Sequence, residues 1–525
     1  KTPAPELPSD FAGVCIKVIT KNEVEKNSLK LSYNFGYIEG TTYKPFYKDK
    51  AGKCEWLGYD DGYKSLPSDF PSTKKMIDLA NQSADESQEK KDSEIPELIG
   101  ITKKMSSNRS WSPEKITAMP NQSGSINLTT KWNIKNFIIG NLSSVNYGSS
   151  FDYTTTKRQF FNQYRNVYDY SYTDESYSKG TRWGVIHNWL FNIGNKQRIE
   201  FRNFYNQLGK SAVIYRDGFD FANSQKLHKL SSRYESRGIY SGQLAGDHSF
   251  FDNRTKIDWL AGYSYTNKNE PDERRFSWQF DSVAYAQGKG DGYELILDQQ
   301  ATQNIASRLF QNLEEQIYNA AINLEQKVNI LNNEYPWSVK AGVFFEEKER
   351  EFSLRNLGYV KSGSPVTADL FQPLDSILRD ENFYNVTSVE KKDSVWNKRR
   401  KRWDYRVTTE NKYGILLKEN TNAQDSYSAT NEISGYYTGL KIPFGERFSI
   451  YGGVRFETFN RVISDFYYGA DTMTQAQKDT IDITLKSLDY FPSVNLSYSF
   501  TKTQLCRLSY GKTINRPEFR EMSIF

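Results

Sequence analysis

The chain has 525 residues, of which 37% are hydrophobic and 15% aromatic, and its formal net charge is +5. Its mean hydropathy is −0.73, and no apolar run approaches the roughly 18 residues that a membrane helix needs, which excludes an α-helical membrane protein. Intrinsic disorder does not fit the aromatic content, and the weak, dispersed charge does not fit a nucleic-acid-binding protein. A large β-sheet protein suits the composition, because aromatic side chains fit a pleated surface.

Apolar and polar side chains alternate along the chain, starting near its beginning. Leu29, Leu31 and Tyr33 share one face of a segment whose other face carries Lys30 and Ser32. This two-residue period is typical of β-strands whose two faces meet different surroundings, and it predicts roughly thirteen strands up to Ile514. Many of these segments run about ten residues, the length at which a tilted strand crosses a bilayer. Further segments of this kind lie at 126–132, 183–191, 257–265, 337–345, 448–456 and 494–500.

The connections between the predicted strands are uneven. Short turns, such as those at 192–196, 252–254 and 443–446, alternate with long excursions. Outer-membrane barrels have this asymmetry, with short periplasmic turns and longer extracellular loops. The sequence therefore predicts an all-β fold, namely an antiparallel transmembrane β-barrel. In a closed barrel every backbone N–H and C=O group bonds to a neighbouring strand, because lipid offers these groups no partner. The predicted extracellular loops are approximately 38–122, 149–180, 208–237, 267–313, 353–429 and 461–489.

Two terminal segments resemble TonB-dependent outer-membrane receptors. Residues 7–21, with Gly13 followed by alternating Val and Ile and ending in Thr-Lys, resemble the last strand of the plug domain. Where that family has a second glycine, Val14 stands here. Residues 508–521 carry Arg516-Pro517-x-Phe519, similar to a signature inside the receptor barrel. Segments similar to a Bacteroidota-type subgroup with a carboxypeptidase-regulatory-like domain are 56–62, 120–123 and 271–275, and 490–496 is also typical of these receptors.

The resemblance implies a 22-stranded receptor barrel, with residues 1–26 as the end of the plug domain and its link, and residues 27–525 as a partial barrel. Gly13, Arg516, Pro517 and Phe519 would be structural motif residues. Because single-chain bacterial barrels have even strand numbers, the odd count indicates an incomplete barrel, and we expect the chain to be part of a longer receptor.

The function that the resemblance implies is active import of a scarce, bulky solute across the bacterial outer membrane. The solute would be a siderophore, a cofactor, a peptide or a glycan. The TonB–ExbB–ExbD complex would supply energy through a segment absent from this chain. Other expected partners are outer-membrane lipid and lipopolysaccharide, and a surface lipoprotein is a further candidate; nucleic acid is not expected. Two alternatives stay open, namely a passive or structural porin-like barrel and a soluble β-rich adhesin or lectin.

No arrangement of side chains in the sequence indicates catalysis. The three cysteines and three histidines have no metal-ligand spacing, so we predict neither an enzyme nor a metal or cofactor site. Ligand-binding residues are not readable, apart from a hypothesis about two aromatic residues in the loop at 353–429. Trp396 and Trp403 flank the basic run 398–402 and are candidates for contact with the ligand.

Overall fold

A computed structural model describes residues 3–10, 24–80, 88–107, 110–330, 335–383, 387–422, 425–465, 482–501 and 503–522. The strands are β1 Ser28–Gly36, β2 Pro45–Lys48, β3 Glu114–Thr117, β4 Asn121–Ile134, β5 Phe137–Asn162, β6 Val167–Ile193, β7 Gln197–Asp220, β8 Gln225–Phe250, β9 Thr255–Phe280, β10 Tyr293–Leu295, β11 Ser307–Val328, β12 Trp337–Lys361, β13 Thr387–Asn397, β14 Arg402–Lys412, β15 Ile415–Glu419, β16 Tyr427–Phe444, β17 Phe448–Asp465, β18 Asp482–Ser499 and β19 Leu505–Gly511. The α-helices are α1 Thr73–Ala80, α2 Gln88–Ser106, α3 Ser282–Ala286, α4 Leu374–Ile377 and α5 Phe519–Met522, and 3-10 turns lie at Glu55–Leu57 and Asp380–Asn382. Of the helices in the described part of the chain, none is long and apolar enough to cross a membrane.

One large antiparallel sheet dominates the fold. Its path is β1-β4-β5-β6-β7-β8-β9-β11-β12-β16-β17-β18-β19, with β10 and β15 attached at the side. This path contains the thirteen strands that the alternation predicts. Each strand pairs with the next long strand in the sequence, as expected when short turns join neighbouring antiparallel strands. Among the described residues the sheet does not close on itself, and β1 and β19 form its two edges.

The strands are longer than predicted, and two of the ranges predicted as loops are paired hairpins. Range 149–180 belongs to a hairpin in which β5 and β6 stay paired as far as Asn162 and Val167. Range 208–237 is likewise a hairpin of β7 and β8, closed between Asp220 and Gln225. Aromatic side chains such as Phe151 and Tyr177 lie among many polar residues in these segments, so the strand period is harder to read in the sequence there than in the apolar band. Paired backbone continues in them because the hairpin ladder satisfies each N–H and C=O group.

The predicted ranges 38–122, 267–313 and 353–429 also contain regular structure. The first holds β2, α1, α2 and β3; the second holds the end of β9, α3, β10 and the start of β11; the third holds β13, β14 and β15. For 461–489, β17 ends at Asp465 and β18 begins at Asp482, and the residues between them lie outside the described part of the chain.

The two faces of the sheet differ in chemistry. On one face, which we call the outer face, apolar side chains stand side by side on neighbouring strands and remain exposed. Leu31, Ile126 and Val145 are in register on β1, β4 and β5 and are 68%, 54% and 48% exposed. On the opposite face, which we call the inner face, polar groups such as Asn127 and Ser144 bond to each other, 2.6 Å apart. An exposed apolar band of this extent indicates contact with an apolar medium.

Residues 37–120, which we call the insert, pack on the outer face beyond the end of the apolar band. Phe46 makes edge-on ring contacts with Phe151 and Tyr177, with centroids 5.3 and 5.4 Å apart. At the far end of the insert, Trp111 makes an edge-on ring contact with Phe276. The insert therefore shields the outer face of the strand extensions, so the hydrophobic core lies between the insert and the sheet.

Buried ion pairs tie the insert to the sheet. Arg308 is fully buried, and its Nε donates to the Asp272 carboxylate at 2.6 Å while its Nη1 donates to the Met105 carbonyl at 2.7 Å. Arg274 pairs with the same carboxylate and donates to the Ser110 carbonyl at 2.9 Å. The predicted motif 271–275 thus lies at a bulge of β9, where the register against β8 shifts. The bulge directs these charges toward the insert, since an extra residue re-aims side chains.

Candidate functional site

A polar hollow of about 490 Å³ lies on the inner face, toward the end of the sheet where the long connections are. One cross-strand row of its lining runs through Asn34, Ser123, Gly148 and Arg182 on β1, β4, β5 and β6. Hydroxyl and amide groups dominate the lining, which consists of Asn34, Phe35, Gly36, Asn121, Gln122, Ser123, Gly148, Ser149, Ser150, Asp152, Ser178, Gly180, Thr181, Arg182, Leu208 and Lys210.

Glycines give the hollow its depth. A Cβ atom at Gly180 would stand 2.8 Å from the Ser150 hydroxyl oxygen, and one at Gly148 would stand 3.4 Å from Arg182 Nε. Side chains at these two positions would therefore fill the space that the hydroxyl groups surround. The concavity depends on glycine at diagonal positions of adjacent strands, where Gly148 pairs with Arg182 and Gly180 pairs with Ser150 on the same face.

Three charged side chains of the hollow are exposed and lack a partner. Asp152, Arg182 and Lys210 form no hydrogen bond or ion pair through their side chains with the described residues. By contrast, Arg216 on β7 pairs with Asp174 on β6. Two cations and one carboxylate are thus available to a ligand, and guanidinium groups bind carboxylates and phosphates in a bidentate manner. The hollow can hold an oxygen-rich solute with negative groups.

The motif residue Arg516 lies in a buried charge cluster on the inner face. Its Nη1 donates to Glu457 at 3.0 Å, and Arg455 Nε donates to the same carboxylate at 2.6 Å. The amide N–H of Ser9 also points to Glu457, at 3.3 Å, and the Ser9 hydroxyl donates to it. Residues 3–10 are therefore fixed to the inner face of β17 by this cluster.

Phe519 and Pro517 add further contacts between the segment after β19 and the inner face. The Phe519 ring is 1% exposed and lies between two guanidinium groups, with Arg350 at 4.8 Å and Arg461 at 4.6 Å from its centroid. Arg461 also donates to the Pro517 carbonyl. These contacts place the segment after β19 against the inner face, and the structural role of the Arg516-Pro517-x-Phe519 motif stays a prediction. The fourth predicted motif residue, Gly13, lies outside the described residues.

Trp396 and Trp403 belong to a separate two-stranded sheet and not to the strands that line the hollow. They form a cross-strand pair on the separate hairpin of β13 and β14, with ring centroids 5.5 Å apart. Both are about half exposed, at 45% and 58%, beside the turn that holds the basic run 398–402. Neither side chain lines the hollow, so their contact with a ligand stays a prediction.

Sequence analysis missed the residues that carry the site. Ser9 was given no role of its own within the segment 7–21, Glu457 lies in no motif, and the hollow draws two to four residues from each of five strands. One signal was present: the charged Arg455 and Glu457 alternate with the apolar Val454 and Phe456. Two such residues on one strand face indicate that this face is not in lipid, because charge there is costly.

Comparisons with known proteins are as follows. A family model described as "TonB dependent receptor-like, beta-barrel" matches residues 251–524, just over half of the chain. No curated protein matches the chain. Among solved structures, the chain is similar to the siderophore receptor PiuA from Acinetobacter baumannii, with 9% identity over 74% of this chain and 72% of that chain and a TM-score of 0.21. It is also similar to the siderophore receptor PirA from the same organism, with 7% identity over 74% and 73% and a TM-score of 0.12.

Proposed function

Because the chain belongs to the TonB-dependent receptors of the bacterial outer membrane, we propose that it imports a bulky, oxygen-rich solute bearing negative charge. An acidic glycan or a ferric siderophore fits this description. The family consists of receptors and transporters, and its members depend on TonB. The proposal adds the class of solute and the residues that meet it.

One observation carries the proposal: the side chains of Asp152, Arg182 and Lys210 line the hollow on the inner face and have no partner among the described residues. A charge without a partner is stabilised by a ligand of opposite charge, and the surrounding hydroxyl groups supply both donors and acceptors. Phe35 and Leu208 are the two large hydrophobic side chains in the lining. The hollow therefore favours hydroxyl, carboxylate or phosphate groups over an apolar cofactor.

We further propose that residues 1–26 are the end of a plug domain and that residues 27–525 belong to the barrel wall. The attachment of residues 3–10 to the inner face supports this division. A plug in the lumen would block passive flow, so the solute would cross only when work moves the plug. This requirement separates the proposed receptor from a passive porin.

The test measures surface binding and periplasmic accumulation separately in cells that make the protein, with and without TonB. The probes are radiolabelled ferric siderophores and fluorescent acidic oligosaccharides. We expect one of these probes to bind in both strains and to accumulate only when TonB is present. Equal accumulation in the two strains would favour the passive porin.

Variants then link the activity to the hollow. Arg182→Ala combined with Lys210→Ala should lower surface binding of the active probe at least tenfold, because two cationic contacts are lost. Arg507→Ala is the matched control, since Arg507 is an exposed arginine on the inner face of β19, outside the hollow. Unchanged binding in the double variant would contradict the assignment of the hollow.

A further inference from the structure

A slot opens on the outer face at the border between the apolar band and the insert. Tyr33, Gly124 and Tyr147 lie in one cross-strand row on β1, β4 and β5. Because Gly124 has no side chain, the two tyrosine rings flank an open space. This space is the centre of a cavity of about 820 Å³, which Met119 and Pro120 of the insert also line.

Neither the backbone nor packing requires glycine at position 124. Its φ angle is outside the left-handed region, and a Cβ atom there would meet no atom nearer than the Ser32 carbonyl oxygen at 3.7 Å. Any small or medium side chain would fit the strand. What the glycine preserves is the open space between the rings, which a larger side chain would fill.

The walls of the slot are held in place by hydrogen bonds. The Tyr33 hydroxyl donates to Gln122 Oε1 at 3.0 Å, and the Tyr147 hydroxyl donates to the Trp56 carbonyl at 3.0 Å. Both rings are therefore held before any ligand arrives, and a preformed site binds with a smaller entropy cost. Trp56 and the two tyrosines form an aromatic border, as is common where a barrel meets the membrane interface.

The two ends of the slot differ. At one end the cavity continues over Leu31, Ile126 and Val145, which belong to the exposed apolar band. At the other end it reaches Phe151 and Lys179, whose ammonium group stands 5.7 Å from the Phe151 ring centroid. An occupant with an apolar chain and a negative group at its head would match both ends.

We propose that the slot holds one acyl chain of a lipopolysaccharide molecule, with a phosphate of that molecule at Lys179. The long connections mark the extracellular end of a barrel, so the slot faces the outer leaflet, which lipopolysaccharide occupies. Lipid tails surround the band in any case, and burial of apolar area does not favour the slot over the bilayer. The shape of the slot and the attraction of Lys179 for phosphate provide the preference, since cationic side chains near a membrane surface bind anionic headgroups.

The experiment measures lipid retained by the protein purified in detergent. Wild-type protein is washed with excess detergent, then offered purified hexa-acylated lipopolysaccharide or phosphatidylglycerol, and the bound lipid is quantified by native mass spectrometry. Gly124→Leu fills the slot from its floor, and Val145→Trp fills it from β5. Gly452→Leu is the matched control, because Gly452 lies on the outer face of β17 between Leu440 and Val494, and a Cβ there would meet its nearest atoms at 3.5 Å.

We expect about one tightly held lipopolysaccharide in the wild type and in Gly452→Leu, and at least fivefold less in both filled variants. Folding is checked for each variant by its heat-modifiable migration, so that a misfolded variant is replaced by the other one. Equal retention in all four proteins would overturn the proposal. Preferential retention of phosphatidylglycerol, with the same sensitivity to Gly124→Leu, would overturn the assignment to lipopolysaccharide.

Discussion

Ser9 and Glu457 are 448 positions apart in the chain, yet the amide N–H of Ser9 lies 3.3 Å from a Glu457 carboxylate oxygen. The other oxygen accepts from the Ser9 hydroxyl and from Arg516. Glu457 is 2% exposed and also pairs with Arg455. This carboxylate therefore joins the segment at 3–10, strand β17 and the segment after β19 at a single point.

Replacement of Glu457 tests how much that point contributes to stability. Glu457→Ala leaves two buried guanidinium groups without their carboxylate, and breaking a buried ion pair in this way costs about 3–5 kcal/mol. We expect a large drop in the temperature at which heat-modifiable migration is lost. Glu349→Ala, at an exposed position of β12, should leave that temperature nearly unchanged; an equal drop in both variants would refute the role of the cluster.

Arginine substitutions on the two faces of β19 should differ in their effect on folding into lipid. Leu508 pairs with Leu496 on the outer face and is 68% exposed, whereas Ser509 pairs with Asn495, whose amide donates to the Pro3 carbonyl on the inner face. Arginine at a lipid-facing site near mid-bilayer costs roughly 2–4 kcal/mol. Leu508→Arg should therefore impair folding into lipid vesicles far more than Ser509→Arg. If both variants fold equally well, the outer face is not the lipid-facing one.

The tryptophan pair of the β13–β14 hairpin tests the predicted ligand contact outside the hollow. Trp396→Ala with Trp403→Ala should lower surface binding of the active probe severalfold, because exposed aromatic rings bind by stacking and apolar contact. The strand order of the large sheet does not include this hairpin, so heat-modifiable migration should not change. Binding equal to the wild type would remove these residues from the list of ligand contacts.

Two ion pairs of different burial allow a comparison within one protein. Arg308→Met removes one of the two guanidinium partners of Asp272, where both side chains have no exposure, and should cost up to about 3–5 kcal/mol, because Arg274 keeps its pair with the same carboxylate. Lys196→Met breaks the exposed pair between Lys196 Nζ and the Asp252 carboxylate, which are 2.9 Å apart, and should leave the stability nearly unchanged. Limited proteolysis should cut the insert faster in Arg308→Met alone. Similar cleavage in the two variants would mean that the insert is held by other contacts.

The burial of Glu55 predicts that the stability of the insert depends on pH. Burial raises the pKa of its carboxyl above the ordinary value, although Lys64 at 3.5 Å opposes this shift. The folded state thus favours the protonated form, and the associated stability is lost as the pH rises through the raised pKa. Glu55→Gln should then raise the unfolding midpoint of the insert at neutral pH and have little effect in acid. A lower midpoint at neutral pH would show that the pairing with Lys64 outweighs burial.

Local alternation in the sequence determined the strand path and the faces of the strands. Side chains on successive residues point to opposite sides, so the pattern that begins with Leu29 and Leu31 could be read without any partner strand. The thirteen-strand path and the outer face of β19 follow from this local rule. The length of β5 to β8 did not follow, because many polar residues at the ends of these strands obscure the alternation between faces.

Tertiary structure alone decided which distant residues meet. The insert could have packed on either face, and its position on the outer face depends on Arg308, Asp272 and Met105, which come from three separate parts of the chain. The hollow and the Ser9–Glu457 contact likewise combine residues from different strands and segments. Such contacts arise from strand register and long-range packing. The free energies of these contacts depend on residues far away in the sequence, so a local sequence pattern does not predict them.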